Sequence, residues 1–322
     1  MKAILYREYG GPEVLRLEEV AEESPREGQV RLKVRAASVN PLDWHFLRGV
    51  PYFLRLVAGP GKPRSIRLGV DVAGTVEAVG PKVTRLKVGD EVYGTCRGSF
   101  AQSACGSEKG LGIKPGRISF EQAAAVPAAG ITALQAMTRK KPIRPGEKVL
   151  VNGASGGVGT FAVQIAKSLG AEVTGVCSTR NVELVRSIGA GCVIDYTRED
   201  FTNRPERYDF FLDNVGNHSL SASGGVLNPG GRYVQVGGPA PPWTGGLGRV
   251  FRMPFLSLFG SRKMRAHLGL PNADDLVTMA GLLETGKVKP VIDRTYALHE
   301  VPEAIRYLEE GHARGKVVIQ VR

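Results

Sequence analysis

Acidic residues are the scarcer charge in this 322-residue chain: 31 Asp and Glu stand against 43 Lys and Arg, a formal net charge of +12. The excess is dispersed, and no Lys/Arg block interleaved with aromatics appears. That argues against a nucleic-acid-binding surface and leaves a positive field suited to a small polyanion. Cysteine is sparse too. Cys96, Cys105, Cys177 and Cys192 stand singly, form no C-x-x-C, and have no histidine beside them at a metal-ligand spacing. A disulfide framework is thereby excluded, and the thiols read as reduced side chains of a cytoplasmic protein. Nowhere do about 18 apolar residues run together, so no transmembrane span is expected. The opening "MKAILYREYGG" reads as a strand and a turn, without the succession of a secretory signal. The sequon "NHS" at 217–219 would matter only on export.

What is present is the composition of a globular protein, 42% hydrophobic and 23% charged, with 42 glycines spread through turns. The length suits two domains. Residues 1–122 read as short strands punctuated by glycine and proline: "QVRLKVRAASV" alternates as a strand, "LGVDVAGTVEAVG" is another, and "LKVGDEVYG" is a turn and strand. Between them "LRLVAGPGKPRSIR" shows no period and reads as an irregular basic loop. "SFEQAAAVPAAGITALQAMTRK" starts a helix at Ser119. From 148 apolar strands alternate with helices: "KVLVNG", a helix over 157–169, "AEVTGVC", a helix near 181–188, "CVIDY", "YDFFLDNVG" and "GRYVQVGG". This pattern predicts a parallel, doubly wound sheet covered on both faces, over residues 123–265. Residues 266–322 give two further helices and a closing strand, "KVVIQV".

The segment Gly153-Ala154-Ser155-Gly156-Gly157-Val158-Gly159 follows a strand and opens a helix, the context in which glycines speak for a phosphate cradle. Gly156 lets the backbone approach a pyrophosphate, Gly159 lets the helix pack on the sheet, and the helix start offers free N–H groups. The next strand ends in Ser178-Thr179-Arg180-Asn181, without an acid until Glu183. A carboxylate there would repel a ribose 2′-phosphate, whereas hydroxyls and a guanidinium bind it, so the expected cofactor is NADPH.

With these residues in view, the chain resembles the medium-chain dehydrogenase/reductase superfamily, in its zinc-independent quinone oxidoreductase (zeta-crystallin-like) branch. The resemblance covers essentially the whole length: "ASVNPLDW" at 37–44, "LGVDVAGTVEAVG" at 68–80, "VGDEVYG" at 88–94, "VPAAGITALQAM" at 126–137, "DNVGN" at 213–217 and "HARGKVVI" at 312–319. It implies an α/β fold: a GroES-like β-barrel catalytic domain (1–122), a Rossmann domain (123–265), and a C-terminal return to the first (266–322). It further implies a homodimer and cofactor contacts from Asn40, Thr132, Gly156, Gly157, Val158, Ser178, Arg180, Tyr196, Gly216, Gly237 and Lys316. Zinc-dependent relatives carry cysteine and histidine where this chain has Asn40 and Val70, and the cysteines of their structural zinc lobe are missing. No metal is therefore expected.

Without a Lewis acid, reduction of an isolated ketone leaves a localised alkoxide, whereas a quinone or enone spreads the charge itself. The expected reaction is NADPH-dependent hydride transfer to a quinone or an α,β-unsaturated carbonyl (an alkenal among them). Alternatives are an enoyl reductase served by a carrier protein and a non-catalytic NADPH-binding protein. Asn40 is expected to orient the reactants. His45, in "NPLDWHFLRG", is the candidate to protonate or hydrogen-bond the acceptor, with polar lining or water protonation as the competing reading. Asp43 and Trp44 read as residues that fix the loop. The apolar and cationic stretch at 248–267 reads as pocket lining and a dimer-forming edge strand in preference to a membrane-surface helix.

Overall fold

In a computed structural model of the chain, the structure describes residues 1–239, 241–244, 246–259 and 261–322. Strands β1 (Lys2–Leu5) and β2 (Arg16–Glu19) form an antiparallel pair. Next comes β3 (Gln29–Val39), over the residues whose alternation predicted it. Val30, Leu32 and Val34 enter the core while Lys33 and Arg35 face out, each buried aliphatic side chain contributing about 1.5–3 kcal/mol of transfer free energy. From Ala36 to Val39 every residue is buried.

Helices α1 (Pro41–Arg48) and α2 (Leu54–Ala58) follow, then β4 (Asp71–Val79), β5 (Glu91–Thr95), β6 (Ser103–Ser107) and β7 (Leu111–Ile113). The five-residue α2 lies inside the stretch that sequence alone reads as an irregular loop. A helix this short completes no second turn, so no period betrays it. Ser119 caps α3 (Phe120–Ala124) in a reciprocal box with Gln122, and Pro127 begins α4 (Pro127–Thr138). The stretch read as one helix is thus two, since proline has no N–H to continue the first.

The next elements alternate strand and helix: β8 (Lys148–Asn152), α5 (Gly157–Ser168), β9 (Glu172–Cys177), α6 (Val182–Ser187), β10 (Cys192–Asp195), β11 (Tyr208–Asp213), α7 (Leu220–Gly225), β12 (Leu227–Gln235), α8 (Leu247–Phe259) and β13 (Lys263–Ala266). The six strands are all parallel, in the order β10-β9-β8-β11-β12-β13. Two three-strand halves run outward from β8 and β11, so the carboxyl ends of those two strands flank a topological switch point, where α/β sheets bind ligands. Leu150, Val176, Ile194 and Phe211 pack the core of this sheet.

The chain then gives α9 (Ala273–Glu284), β14 (Ile292–Ala297), α10 (Val301–Glu309) and β15 (Lys316–Gln320). Strand β15 inserts between β14 and β3, and the larger sheet reads β14-β15-β3-β4-β5-β7 with β6 on the first half of β3. Two compact units result: Met1–Ile131 with Leu270–Gly286 and Pro290–Arg322, and Thr132–Gly269 with Lys287–Lys289. The division falls after Ile131 and Gly269 in place of 122 and 265. Part of the reason is that the start of α4 is tied to the first unit, where the Ala128 N–H donates to Asp71 at 2.9 Å. Among the described residues no helix is long and apolar enough to cross a membrane.

Candidate active site

In the second unit the glycine run forms the turn from β8 into α5. Gly153 adopts φ +74°, and an added Cβ on Gly159 would come within 2.0 Å of the Gly153 carbonyl oxygen, so only glycine lets α5 close onto the turn. At Gly156 the space is open; the nearest atom to an added Cβ is 3.5 Å away. Gly156 is the N-cap of α5 and offers no capping side chain, which leaves the first-turn N–H groups and the positive end of the helix dipole for an anion. Gly156, Gly157 and Val158 thus sit together at the switch point.

At the end of β9, Ser178 and Arg180 precede α6, with Arg180 exposed. The Asn181 amide donates to Ser155 Oγ at 3.0 Å and Ser178 Oγ at 3.2 Å, tying this corner to the glycine turn. Parallel pairing puts Asp195 beside Cys177 and brings Tyr196, 58% exposed, to the same edge. Asp195 is an acid that sequence reasoning missed here: it lies one strand over and becomes a neighbour only through pairing. Its carboxylate accepts from Thr179 Oγ1 at 2.6 Å and from the N–H and hydroxyl of Thr197, and Arg198 stands 3.5 Å away. The Thr179 hydroxyl leads the contacts that hold its pKa below the usual carboxylate range.

On the other side of the switch, buried Asp213 shapes the loop after β11. It accepts from Gly216 N–H (2.8 Å), Val215 N–H (3.1 Å), Asn152 Nδ2 (3.0 Å) and Tyr233 OH (2.7 Å). Gly216 is left-handed at φ +66°, and a Cβ on Gly237 would lie 2.2 Å from Asn214 O, so this wall too is bare backbone. Thr132 lies on α4, against Gly269. Among the described residues, the buried Oδ1 atoms of Asn181 and Asn214 have no hydrogen-bond partner. Two orphaned acceptors beside a glycine cradle and an open helix start fit a dinucleotide, which brings hydroxyl and amino donors along with its phosphates.

The first unit holds a different arrangement. Asp71 is fully buried; its Oδ2 accepts from Ser38 Oγ (2.8 Å) and Asn40 Nδ2 (3.0 Å), with the Lys316 ammonium at 3.4 Å. Lys316, 3% exposed, donates to Asn40 Oδ1 at 2.6 Å and to Val39 O at 3.3 Å. Both ends of the Asn40 amide are thereby engaged by the protein. Asp43 accepts from Asn40 N–H (2.7 Å) and Gly69 N–H (3.1 Å), fixing the start of α1 as the loop-building reading expected. Burial pushes its carboxyl up to about 7. This donor set does not fit zinc: Asn40 and Asp71 already hold an ammonium, and Val70 supplies no ligand atom.

His45 stacks on Trp44 with ring centroids 3.7 Å apart. Its Nδ1 lies 2.9 Å from the Val50 carbonyl, which can only accept, so Nδ1 carries the proton and Nε2 is an acceptor in the neutral ring. Burial lowers its pKa and favours that neutral form. The structure therefore brings Asn40 and Lys316 into contact in one unit and gathers Gly156, Gly157, Val158, Ser178, Arg180, Tyr196, Gly216 and Gly237 around one sheet end in the other.

A six-stranded Rossmann sheet with an open glycine cradle, in one chain with a sheet built around a buried Asp–Asn–Lys cluster, defines the two-unit dehydrogenase class of fold. Residues 26–136 match the alcohol dehydrogenase GroES-like domain and residues 188–319 the zinc-binding dehydrogenase domain. The chain is 36% identical to a 2-methylene-furan-3-one reductase of Solanum lycopersicum and 35% identical to an NADPH-dependent alkenal/one oxidoreductase, chloroplastic, of Arabidopsis thaliana, each match covering 99% of this chain and 79% of the relative. It superposes on the quinone oxidoreductase of Escherichia coli complexed with NADPH at a TM-score of 0.85, with 27% identity, 99% of this chain and all of that one covered. The chain belongs to the medium-chain dehydrogenase/reductase superfamily, in its quinone oxidoreductase branch.

Proposed function

We propose that this protein is an NADPH-dependent reductase of quinones or α,β-unsaturated carbonyls, with the second unit as cofactor domain and the first as catalytic domain. The observation that carries this reading is the ammonium of Lys316 bound to Asn40 and Asp71, a donor set with no room for a Lewis acid. An acceptor reduced here must delocalise its own negative charge, as conjugated carbonyls do. The names of the alkenal/one and quinone oxidoreductase relatives support the same class.

In this reading the first-turn N–H groups at Gly157 and Val158 hold the pyrophosphate, with Gly156 giving it backbone room. Ser178, Arg180 and Tyr196 receive the 2′-phosphate, and the Arg198 guanidinium, 3.5 Å from Asp195, offsets part of that carboxylate's negative charge. Gly216, Gly237 and Thr132 leave space for the rest of the dinucleotide. Asn40 lines the nicotinamide side, and Lys316 is a positioning residue that acts through Asn40. A bound NADPH would supply the hydride for the β-carbon of an enone, and solvent would supply the proton for its α-carbon. His45 lines the site as an acceptor. We place the protein in the cytoplasm as a homodimer joined through the exposed edge of β13.

The test is loss of NADPH absorbance with a panel of quinones and enones, with NADH run beside it and both coenzymes titrated by calorimetry. Turnover with NADPH and weaker NADH binding are expected. Tighter NADH binding, or saturable NADPH binding with no turnover on any acceptor, would overturn the reading. Gel filtration tests the dimer.

A further inference from the structure

Helix α8 turns Arg249, Met253 and Ser257 toward the sheet of the second unit and Phe251 and Phe255 away from it. A step of about 100° per residue keeps each set on its own side. The Arg249 guanidinium has three partners on the inner side: Tyr233 OH at 2.8 Å, the His218 carbonyl at 2.6 Å and Gln235 Oε1 at 2.7 Å. The last of these fixes the orientation of an amide. Arginine Nε can only donate, so the Gln235 atom it meets is the oxygen, and the Tyr233 hydroxyl stands 3.3 Å from that same oxygen. The amide nitrogen is thereby turned the other way, against the glycine wall. A Cβ added to Gly238 would come 2.6 Å from Nε2, and one added to Gly216 would come 3.2 Å from it. Among the described residues nothing accepts a hydrogen bond from this nitrogen, and Gln235 is half-buried, so the donor stays within reach of a ligand.

Gln235 is the last residue of β12, at the carboxyl end of the parallel sheet. The cofactor reading puts the 2′-phosphate beyond β9 and the pyrophosphate beyond β8. The order β9-β8-β11-β12 then carries the rest of the dinucleotide across the switch point to this residue. That remaining half, the nicotinamide nucleotide, brings hydroxyl and carboxamide oxygens that accept hydrogen bonds, and the Gln235 amide offers the matching N–H groups. We propose that Gln235 is a further cofactor-binding residue, donating from Nε2 to an oxygen of the nicotinamide nucleotide. Arg249 is its positioning residue: by holding Oε1 it keeps the amide from turning and presenting an acceptor to an acceptor. The proposal rests on the NADPH reading and adds a side-chain donor to a wall that is otherwise bare backbone at Gly216, Gly237 and Gly238.

Calorimetric titration of the full chain tests it with three probes: NADPH, 2′-phospho-ADP-ribose, which lacks the nicotinamide ring, and 2′,5′-ADP, which lacks that whole half. Gln235→Glu keeps an oxygen for Arg249 and replaces the N–H groups by a second acceptor. It should lose at least about tenfold in NADPH affinity and bind 2′,5′-ADP as wild type does. A loss shared by 2′-phospho-ADP-ribose assigns the acceptor to the ribose and its phosphate; a loss confined to NADPH assigns it to the carboxamide. Arg249→Met should lose about fivefold in NADPH affinity, and nothing further when combined with Gln235→Leu, because it acts through that amide. An Arg249→Met loss that persists in the Gln235→Leu background would remove the positioning role. If Arg249→Met does not fold, Gln235→Glu still gives the answer. A Gln235→Glu variant that binds NADPH as tightly as wild type, or that weakens 2′,5′-ADP by the same factor, would overturn the proposal and leave the cofactor reading standing. A wild type that binds none of the three probes would overturn both.

Discussion

The two units handle their polar groups in opposite ways. In the first, Ser38, Asn40, Asp71 and Lys316 are buried and bound to one another, so the cluster is complete as folded. In the second, the uncapped start of α5 and the orphaned oxygens of Asn181 and Asn214 leave hydrogen-bonding capacity unused by the protein. The difference teaches where each kind of residue spends its hydrogen bonds. A side chain whose donors and acceptors are all used internally can wall and shape a site without offering it a free hydrogen bond, and a cradle with unused ones can hold a ligand.

The largest test of this contrast is Lys316→Met, which strands the buried Asp71 carboxylate without its cation. A loss of about 3–5 kcal/mol in chemical denaturation is expected; unchanged stability would remove the scaffold role. In the other unit, Arg180→Ala should weaken NADPH binding by about 1.5–3 kcal/mol and leave NADH binding unchanged by calorimetry. Equal losses for both coenzymes would mean that Arg180 does not read the 2′-phosphate. Two glycines then separate packing from ligand approach. Gly159→Ala collides with the Gly153 carbonyl and should cost about 1–3 kcal/mol of stability. Gly156→Ala meets open space, so stability should hold while NADPH affinity drops about tenfold, or about 1.4 kcal/mol.

Asp43 gives a smaller, pH-dependent effect. Its folded pKa is pushed up to about 7 by burial, above the unfolded value near 3.9. Between those values the folded chain keeps a proton that the unfolded chain has released, so this contribution is full below about pH 4 and fades as pH rises through about 7. The stability difference between wild type and Asp43→Asn should therefore shrink over that window. The smallest expected effect is that of His45→Phe on kcat with an enone. A general acid contributes about 10²–10⁴-fold, and a drop of that size would restore His45 to the chemistry; with Nδ1 committed to Val50, little change is expected.

Local features were legible in the sequence. The alternation of β3, the Ser119 cap and the strand–glycine–helix succession around Gly153 each depend on neighbours in the chain, and each stands where the pattern placed it. Contacts made at long range were not. Asp195 comes beside Cys177 through strand pairing, and Asp71 meets Lys316 only because β15 returns beside β3. The orientation of helix α8 was hidden for another reason: an amphipathic pattern says that two faces differ and leaves open which of them turns inward. Here Arg249 and Ser257 find hydrogen-bond partners inside, which lets the phenylalanines face out.

The position of β15 also sets an order of events during synthesis. Residues 132–269 are nearly a whole unit in one uninterrupted run and can be finished while the ribosome is still extending the chain. The earlier-made β3 must wait, its second half paired with β4 on one side but lacking its neighbour on the other until 316–320 emerge. The lysine that neutralises Asp71 arrives on that same strand, so the part of the protein translated first is the last to reach its native electrostatics.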